Sequence, residues 1–358
     1  MSAHLAGMGW VTPLGAGLEE VWARLMAGDA AAVKTIANPE TGRTLAYAPV
    51  PMKLVEALGR NPRLRRASAI SYFAVAAGLA ALENAGITMT PELAAQTAVV
   101  FAISSGGVAY TRRFYEQLVK QGANAASPLL FPETVYNAPA SHFAAQLGID
   151  GASYTLVGDA SVGLEALKFA EQLLETSDLA QVVVVGSEEI DWVLCEAYRE
   201  WRLARGADAG SRGALLAEGA AAVVLAREGR VKIAALHDGV SVFRRAEAAA
   251  ALDRVFADLV RASAADVVVG CANGTFADRA ESAAIALHCA RAAVYFPKRA
   301  FGEALGASAL MQVIVGALAL AKGEVPGSEP RGDALKTALV STLGFNQQAS
   351  GLLLSRDC

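Results

Sequence analysis

Three short clusters hold the residues whose types and spacing could do chemistry. Gly158-Asp159-Ala160-Ser161 is a glycine turn that brings a carboxylate and a hydroxyl to the start of a helical stretch. Ala272-Asn273-Gly274-Thr275-Phe276-Ala277-Asp278, followed by Glu281, offers an amide, a hydroxyl and two carboxylates after an apolar run. Lys298 stands five residues before Glu303, which precedes a long uncharged segment. A carboxylate buried in such surroundings needs a partner, and Lys298 is near in sequence. The pair therefore reads as a structural ion pair before it reads as a general base. Ser161 at a helix start is expected to cap, because no histidine is placed to activate it. His4, His142, His237 and His288 all lie outside the three clusters. Cys195, Cys271, Cys289 and Cys358 show neither a C-x-x-C pair nor metal-ligand spacing. Cys271 follows an apolar strand and reads as a buried thiol. Arg60, Arg63, Arg65 and Arg66 form a basic cluster, which reads as either a solvated helix start or a patch that steers an acidic partner.

The elements that must position these groups belong to a chain of 358 residues. That length suggests two domains or one duplicated domain. Apolar residues make up 54% and charged residues 18%, which excludes disorder. Thirty-one Lys and Arg face 35 Asp and Glu, a net charge of -4, so a general nucleic-acid binder is excluded. The mean hydropathy of +0.35 points to a large core and a large subunit interface. Met1-Ser2-Ala3-His4 shows no signal-peptide pattern, and the cysteine usage fits a reduced, cytoplasmic protein. Residues 304–321 carry no charge, but more than half are Ala, Gly, Ser or Gln. A helix buried on all sides of a core is expected there, not a membrane span.

Short β-branched runs alternate with Ala-rich stretches, the pattern of an α/β fold. Strands are predicted at 97–103, 181–186, 221–225, 266–270 and 339–341, and helices at 66–85, 161–175, 280–292 and 304–321. Gln181-Val182-Val183-Val184-Val185-Gly186 reads as a strand buried on both faces. A turn, a small-residue helix and a strand occur once after Gly158 and again after Gly302, a faint internal echo.

Six separated segments, in order from about residue 5 to 354, resemble the β-ketoacyl synthases of the thiolase superfamily. They are Gly9-Trp10-Val11-Thr12-Pro13-Leu14-Gly15; Arg65-Arg66-Ala67-Ser68 before a helix ending Glu83-Asn84-Ala85-Gly86; and Ser127-Pro128 through Phe131-Pro132. The others are Asn137-Ala138-Pro139-Ala140, Leu216-Ala217-Glu218-Gly219-Ala220-Ala221, and Leu343-Gly344-Phe345-Asn346. The resemblance implies a thiolase-like fold: two similar halves, 1–230 and 231–358, stacked as five layers, αβαβα. It also implies a dimer formed partly through the strand at 154–157.

Family chemistry needs a cysteine nucleophile and two histidines. In this sequence Ala160 stands at the cysteine position, Asn273 at the first histidine and Glu303 at the second, while Lys298 and Glu281 are retained. Thr275 keeps the first threonine of the family's pantetheine-holding pair, and the second is Ala277. The resemblance thus implies no catalytic residue and no cofactor beyond the phosphopantetheine arm of an acyl carrier protein. It implies substrate-facing roles for Thr275, Phe345, Phe131 and Tyr136, and carrier-protein docking near Arg60, Arg63, Arg65 and Arg66. Non-catalytic chain-length factors that pair with an active ketosynthase fit this pattern. The alternatives are a malonyl-thioester decarboxylase or hydrolase using Asp159 or Glu303, and a carrier-protein-binding homodimeric scaffold.

Overall fold

The computed structural model describes residues 3–208, 210–329, 335–345 and 348–356. The chain opens with β1 (His4–Val11), α1 (Leu18–Met26), β2 (Lys34–Ala37), β3 (Thr44–Ala48), α2 (Ala69–Asn84), α3 (Pro91–Ala95) and β4 (Thr97–Ile103). There follow α4 (Val108–Gln121), α5 (Ala138–Leu147), β5 (Ser153–Val157), α6 (Val162–Thr176), β6 (Gln181–Glu188), α7 (Trp192–Glu200), β7 (Leu216–Ala217) and β8 (Gly219–Ala226). The remainder is β9 (Val231–Leu236), β10 (Val240–Ser241), α8 (Ala248–Ala262), β11 (Val267–Val269), α9 (Phe276–His288), β12 (Ala293–Tyr295), α10 (Lys298–Phe301), α11 (Ser308–Lys322), β13 (Thr337–Leu343) and β14 (Gln348–Arg356).

The strand order explains the echo in the sequence. From one end the main sheet runs β5-β4-β6-β8-β1, and from the other β12-β11-β13-β14-β9. Within each set the pairings follow the same succession: parallel, parallel, antiparallel, antiparallel. The sets meet where His4 pairs with Lys232 and Leu5 with Val231. A single ribbon of strands therefore folds back over the helices between its halves.

Side-chain alternation along the strands builds the layers. Val182 and Val184 point into a core shared with α6 and α11, whereas Val183 and Val185 point the other way, onto α2 and α5. In the second set Val267 and Val269 face the middle core, and Val268 packs with α8 and α9. The layers are thus α2/α5, sheet, α6/α11, sheet, α8/α9. Apolar on both faces, the Gln181–Gly186 run could form nothing but a fully buried strand.

Helix α11 is buried along its length. The stretch Leu305–Lys322 is long and apolar enough to cross a membrane by composition, yet 89% of it is buried inside the protein. It packs closely on α6: a Cβ added to Gly163 would stand 2.9 Å from the Ala309 Cβ. Gly186 and Gly306 allow a second close approach, which seats the loop before α11 over the ends of β4 and β6.

Two expectations shift by about one turn. Residues 61–66 form turns, so α2 starts at Ala69. Helix α9 starts at Phe276, four residues before the expected position, because Thr275 accepts from Ala277 N and caps it.

Candidate functional site

Each half ends its outermost parallel strand in a turn that leads to a middle-layer helix, and these turns build the site. After β5 the chain passes Gly158 and Asp159 to Ala160, which is fully buried just before α6. Ser161 occupies the N-cap position, but its side chain makes no capping bond. Its hydroxyl donates to Asp159 Oδ1 at 3.4 Å instead. Gly344 lies so close to Asp159 that a side chain there would collide with the carboxylate. The loop after β13 is thereby locked onto the turn before α6. Asn346, part of the same loop in the sequence, lies outside the described residues.

After β12, Lys298 opens α10, and Gly302, at φ +89°, reverses the chain into Glu303. A left-handed φ of this kind favours glycine, and a Cβ there would also press 2.7 Å from the Ala217 Cβ. Glu303 is fully buried. Its Oε2 accepts from Lys298 Nζ and from Asn273 Nδ2, both at 2.8 Å. Its Oε1 accepts from Ser308 Oγ at 2.6 Å and Leu305 N at 3.2 Å. Thr275 Oγ1 donates to Asn273 Oδ1 at 2.6 Å, which fixes the orientation of the amide. Burial is the largest single effect and pulls the Lys298 pKa down, but the Glu303 charge and hydrogen bond, together with the electrostatic effect of Cys271 and Glu281, outweigh it, and the ammonium ends above the ordinary lysine value. The fold therefore joins two of the three sequence clusters into one saturated network in which the carboxylate has four donors.

Glu281 braces this network from behind. It accepts from Cys271 N at 2.7 Å, Ala272 N at 2.8 Å and Ser341 Oγ at 2.5 Å. Cys271 is buried, and burial first, then the Glu281 charge, drives its thiol pKa well above the ordinary value. It is held as a thiol, not a thiolate. Among the described residues no cluster of His, Cys, Asp and Glu is placed to hold a metal ion.

Tyr198 links the third cluster to the other two. Its ring is buried, and its phenol pKa is raised by burial and by the carboxylates of Glu188, Asp159 and Glu303. Phe345 packs edge-on against it at 5.7 Å, and Trp201 lies tilted against it at 5.4 Å. Glu188 ends β6 and accepts from Ser104 N, Ser105 N and Gly306 N at 3.0–3.4 Å, and from Ser105 Oγ. Burial pushes its pKa to about 8. Glu189 holds Ile70 N and Ala109 N, Glu218 holds Val50 N and Ile190 N, and burial raises both to about 7. These carboxylates tie loops to strand ends. In the sequence Glu188 and Glu189 are adjacent and follow the apolar run by way of Gly186 and Ser187, and Glu218 stands in the 216–221 segment.

Two pockets open beside the network. One, of about 690 Å³, is lined by Thr275 and by Arg43, Arg199, Arg202, Arg212 and Arg245. The other, of about 560 Å³, is lined by Asp159, Tyr198, Trp201, Phe243 and Phe345, and it too reaches Arg245. The cluster singled out in the sequence, Arg60, Arg63, Arg65 and Arg66, lies in the turns before α2 and lines neither pocket. Phe131 and Tyr136 are exposed near the α5 N-terminus. The arginines at the pocket escaped the sequence reading because they come from four separate segments.

A doubled strand order around two buried helices, with the site at the turns leading into them, defines a thiolase-like protein. The family model described as "Beta-ketoacyl synthase, N-terminal domain" matches residues 4–230, and the chain belongs to the β-ketoacyl synthase family. It is 24% identical over 186 residues, 52% of its length, to 3-oxoacyl-(acyl-carrier-protein) synthase 2 of Vibrio cholerae serotype O1, and covers 45% of that protein. The chain thus spans about half the length of this curated relative. The solved ishigamide ketosynthase/chain length factor matches with a TM-score of 0.83 at 19% identity, over 100% of this chain and 99% of that one. A ketosynthase in complex with its chain length factor from Xenorhabdus doucetiae gives 0.76 at 16%, over 99% and 98%. At these identities the structural likeness establishes the fold.

Proposed function

We propose that this chain is a non-catalytic ketosynthase-like subunit of the chain-length-factor kind, which pairs with a cysteine-containing β-ketoacyl synthase in type II fatty-acid, polyketide or aryl-polyene synthesis. The closed Glu303 network carries this reading. A condensing site needs a nucleophile and proton-transferring groups free to meet the substrate. Here Ala160 cannot be acylated, Asn273 cannot exchange a proton, and all four donors to Glu303 are already in place. The same saturation argues against a hydrolase or decarboxylase that would use Glu303 as a base.

The surface supports pairing. Strand β5 ends the sheet, and among the described residues no strand covers its outer edge. An open edge is a template for another chain. Around it Phe131 is 54% exposed, Tyr136 47%, Tyr154 41% and Val157 53%. Large apolar groups concentrated in this way mark an interface. Two chain-length-factor complexes share this fold, which is consistent with that use of the edge. On this reading Phe131 and Tyr136 reach toward the partner's acyl channel. Acyl carrier protein approaches across the arginines at 60–66, its phosphopantetheine being a substrate arm and not a resident cofactor.

Co-expression with a ketosynthase encoded beside it in the source genome tests the proposal. A stable 1:1 complex is expected, with longer partner products when Phe131 or Tyr136 is changed to alanine. A homodimer that ignores every such ketosynthase would overturn the pairing.

A further inference from the structure

A buried carboxylate stands under the exposed apolar segment between α4 and α5. In that segment Leu129, Phe131, Val135 and Tyr136 are all exposed. Glu133 belongs to the turn Phe131–Thr134, yet only 5% of its surface is exposed. The apolar side chains point outward and the charged one inward, the reverse of the usual order. Such an inversion costs desolvation unless the charge is held by hydrogen bonds.

Both carboxylate oxygens are held, one from α2 and one from α5. Glu133 Oε2 accepts from Ser68 N at 3.0 Å, and Ser68 occupies the N-cap position of α2. Helix α2 has no acidic residue in its first turn and no capping bond from the Ser68 side chain. Its first amides are served from distant segments instead: Ser68 N by Glu133 and Ile70 N by Glu189. A carboxylate is favoured at this end of a helix. Glu133 Oε1 meets His142 Nε2, on α5, at 2.6 Å. His142 can donate from Nε2 in its neutral or its charged form, and among the described residues it is the ionic partner of Glu133. Burial raises the phenol pKa values of Tyr72 and Tyr110, and the Glu133 charge adds to both.

The surroundings leave little room for the turn to move. A Cβ on Gly107 would stand 2.3 Å from Glu133 O, so the loop entering α4 lies directly on the turn. Helix α5 is seated on α2 where the Phe143 ring packs over Gly78, 2.2 Å from where a Cβ would stand. We propose that Glu133 and His142 form a positioning pair, which fixes the turn at 131–136 on the α2–α5 frame and so sets the direction in which Phe131 and Tyr136 are presented. An apolar side chain at 133 would also be buried, but it could settle in several ways. Two hydrogen bonds from fixed donors to one carboxylate define a single placement. The inference rests on the pairing reading for what the turn is presented to, and on the Glu133 contacts for how it is held.

Hydrogen exchange of the full chain, read by mass spectrometry on peptides from 127–137, tests the second part without any partner. Glu133→Leu and His142→Leu should each speed exchange there about tenfold, or about 1.4 kcal/mol of local opening. Peptides from 181–188 and 308–322 should be unchanged. His142→Gln keeps a donor for Glu133 and should exchange like the parent, a rescue that filling space does not explain, since leucine fills the position too. The His142 side chain is 22% exposed, so its variants keep the test decisive if Glu133→Leu does not fold. Parent-like exchange at 127–137 in His142→Leu, acceleration spread evenly over the chain, or no rescue by His142→Gln overturns the proposal. In co-purification with the neighbouring ketosynthase, the leucine variants should bind about tenfold more weakly than the parent, and His142→Gln should match it. Equal affinity of all of them overturns the positioning role. If the parent itself pairs with no ketosynthase, the pairing reading falls by itself, and the exchange result still decides whether Glu133 and His142 hold the turn.

Discussion

Changing Glu303→Gln removes one charge from a pair shielded from solvent. Glu303 and Lys298 expose 0% and 2% of their side-chain surface. Breaking a buried ion pair from one side costs about 3–5 kcal/mol, because the surviving charge is stranded. Lys298→Met should cost a similar amount from the other side. In the double variant neither charge remains. The carboxamide introduced by Glu303→Gln can still accept from Asn273 through its oxygen and donate to Ser308 through its nitrogen, leaving Leu305 N without its acceptor. An unsatisfied buried amide costs about 1–3 kcal/mol, so the double variant should be no less stable than either single. For 358 residues an unfolding entropy of about 2.1 cal/mol/K per residue converts 3–5 kcal/mol into a drop in Tm of about 4–7 °C. Calorimetry on the four proteins closes the cycle. Single-variant losses below about 1 kcal/mol that simply add in the double would refute the buried ion pair as a stabilising unit.

Restoring only the nucleophile with Ala160→Cys should give at most a slowly acylated thiol and no condensation, since groups that act as a unit are strongly non-additive; mass spectrometry and product assay with acyl and malonyl carrier protein read the two steps separately, and β-ketoacyl product from this single change would show that Asn273 and Glu303 serve as the missing imidazoles. Stability should fall as pH rises from about 5 to about 8, because Glu188, raised from 4.5 to about 8, keeps a proton in the folded state that the unfolded chain has already lost. Glu189 and Glu218, raised to about 7, act in the same direction. Glu188→Gln should flatten this slope in thermal melts taken across the range, and an unchanged slope would count against the protonated carboxylate.

Much of the architecture was legible in local pattern. Val182 to Val185 had to be a two-faced strand, and the uncharged 304–321 stretch had to be wrapped in core. The Lys298–Glu303 pairing followed from spacing and the cost of burying a lone carboxylate. The residue types at 160, 273 and 303 were visible, and the resemblance reads them as standing where a nucleophile and two imidazoles would be. Other features depend on which distant segments meet, and local pattern carries no record of that. Asn273 reaches Glu303 because β11 and β12 lie side by side and their following turns converge. Ser161, expected to cap, turns to Asp159, which sits two residues back in the same turn. Tyr198 gathers three carboxylates from separate elements, and the arginine pocket draws on four segments. The left-handed backbone at Arg202 is set by the Schellman geometry closing α7, a conformation that the identity of an arginine would never suggest. Residue types carried the resemblance and the chemistry it implies; three-dimensional convergence decided what these groups bind to, because burial and hydrogen-bond partners are properties of neighbours brought together by the fold.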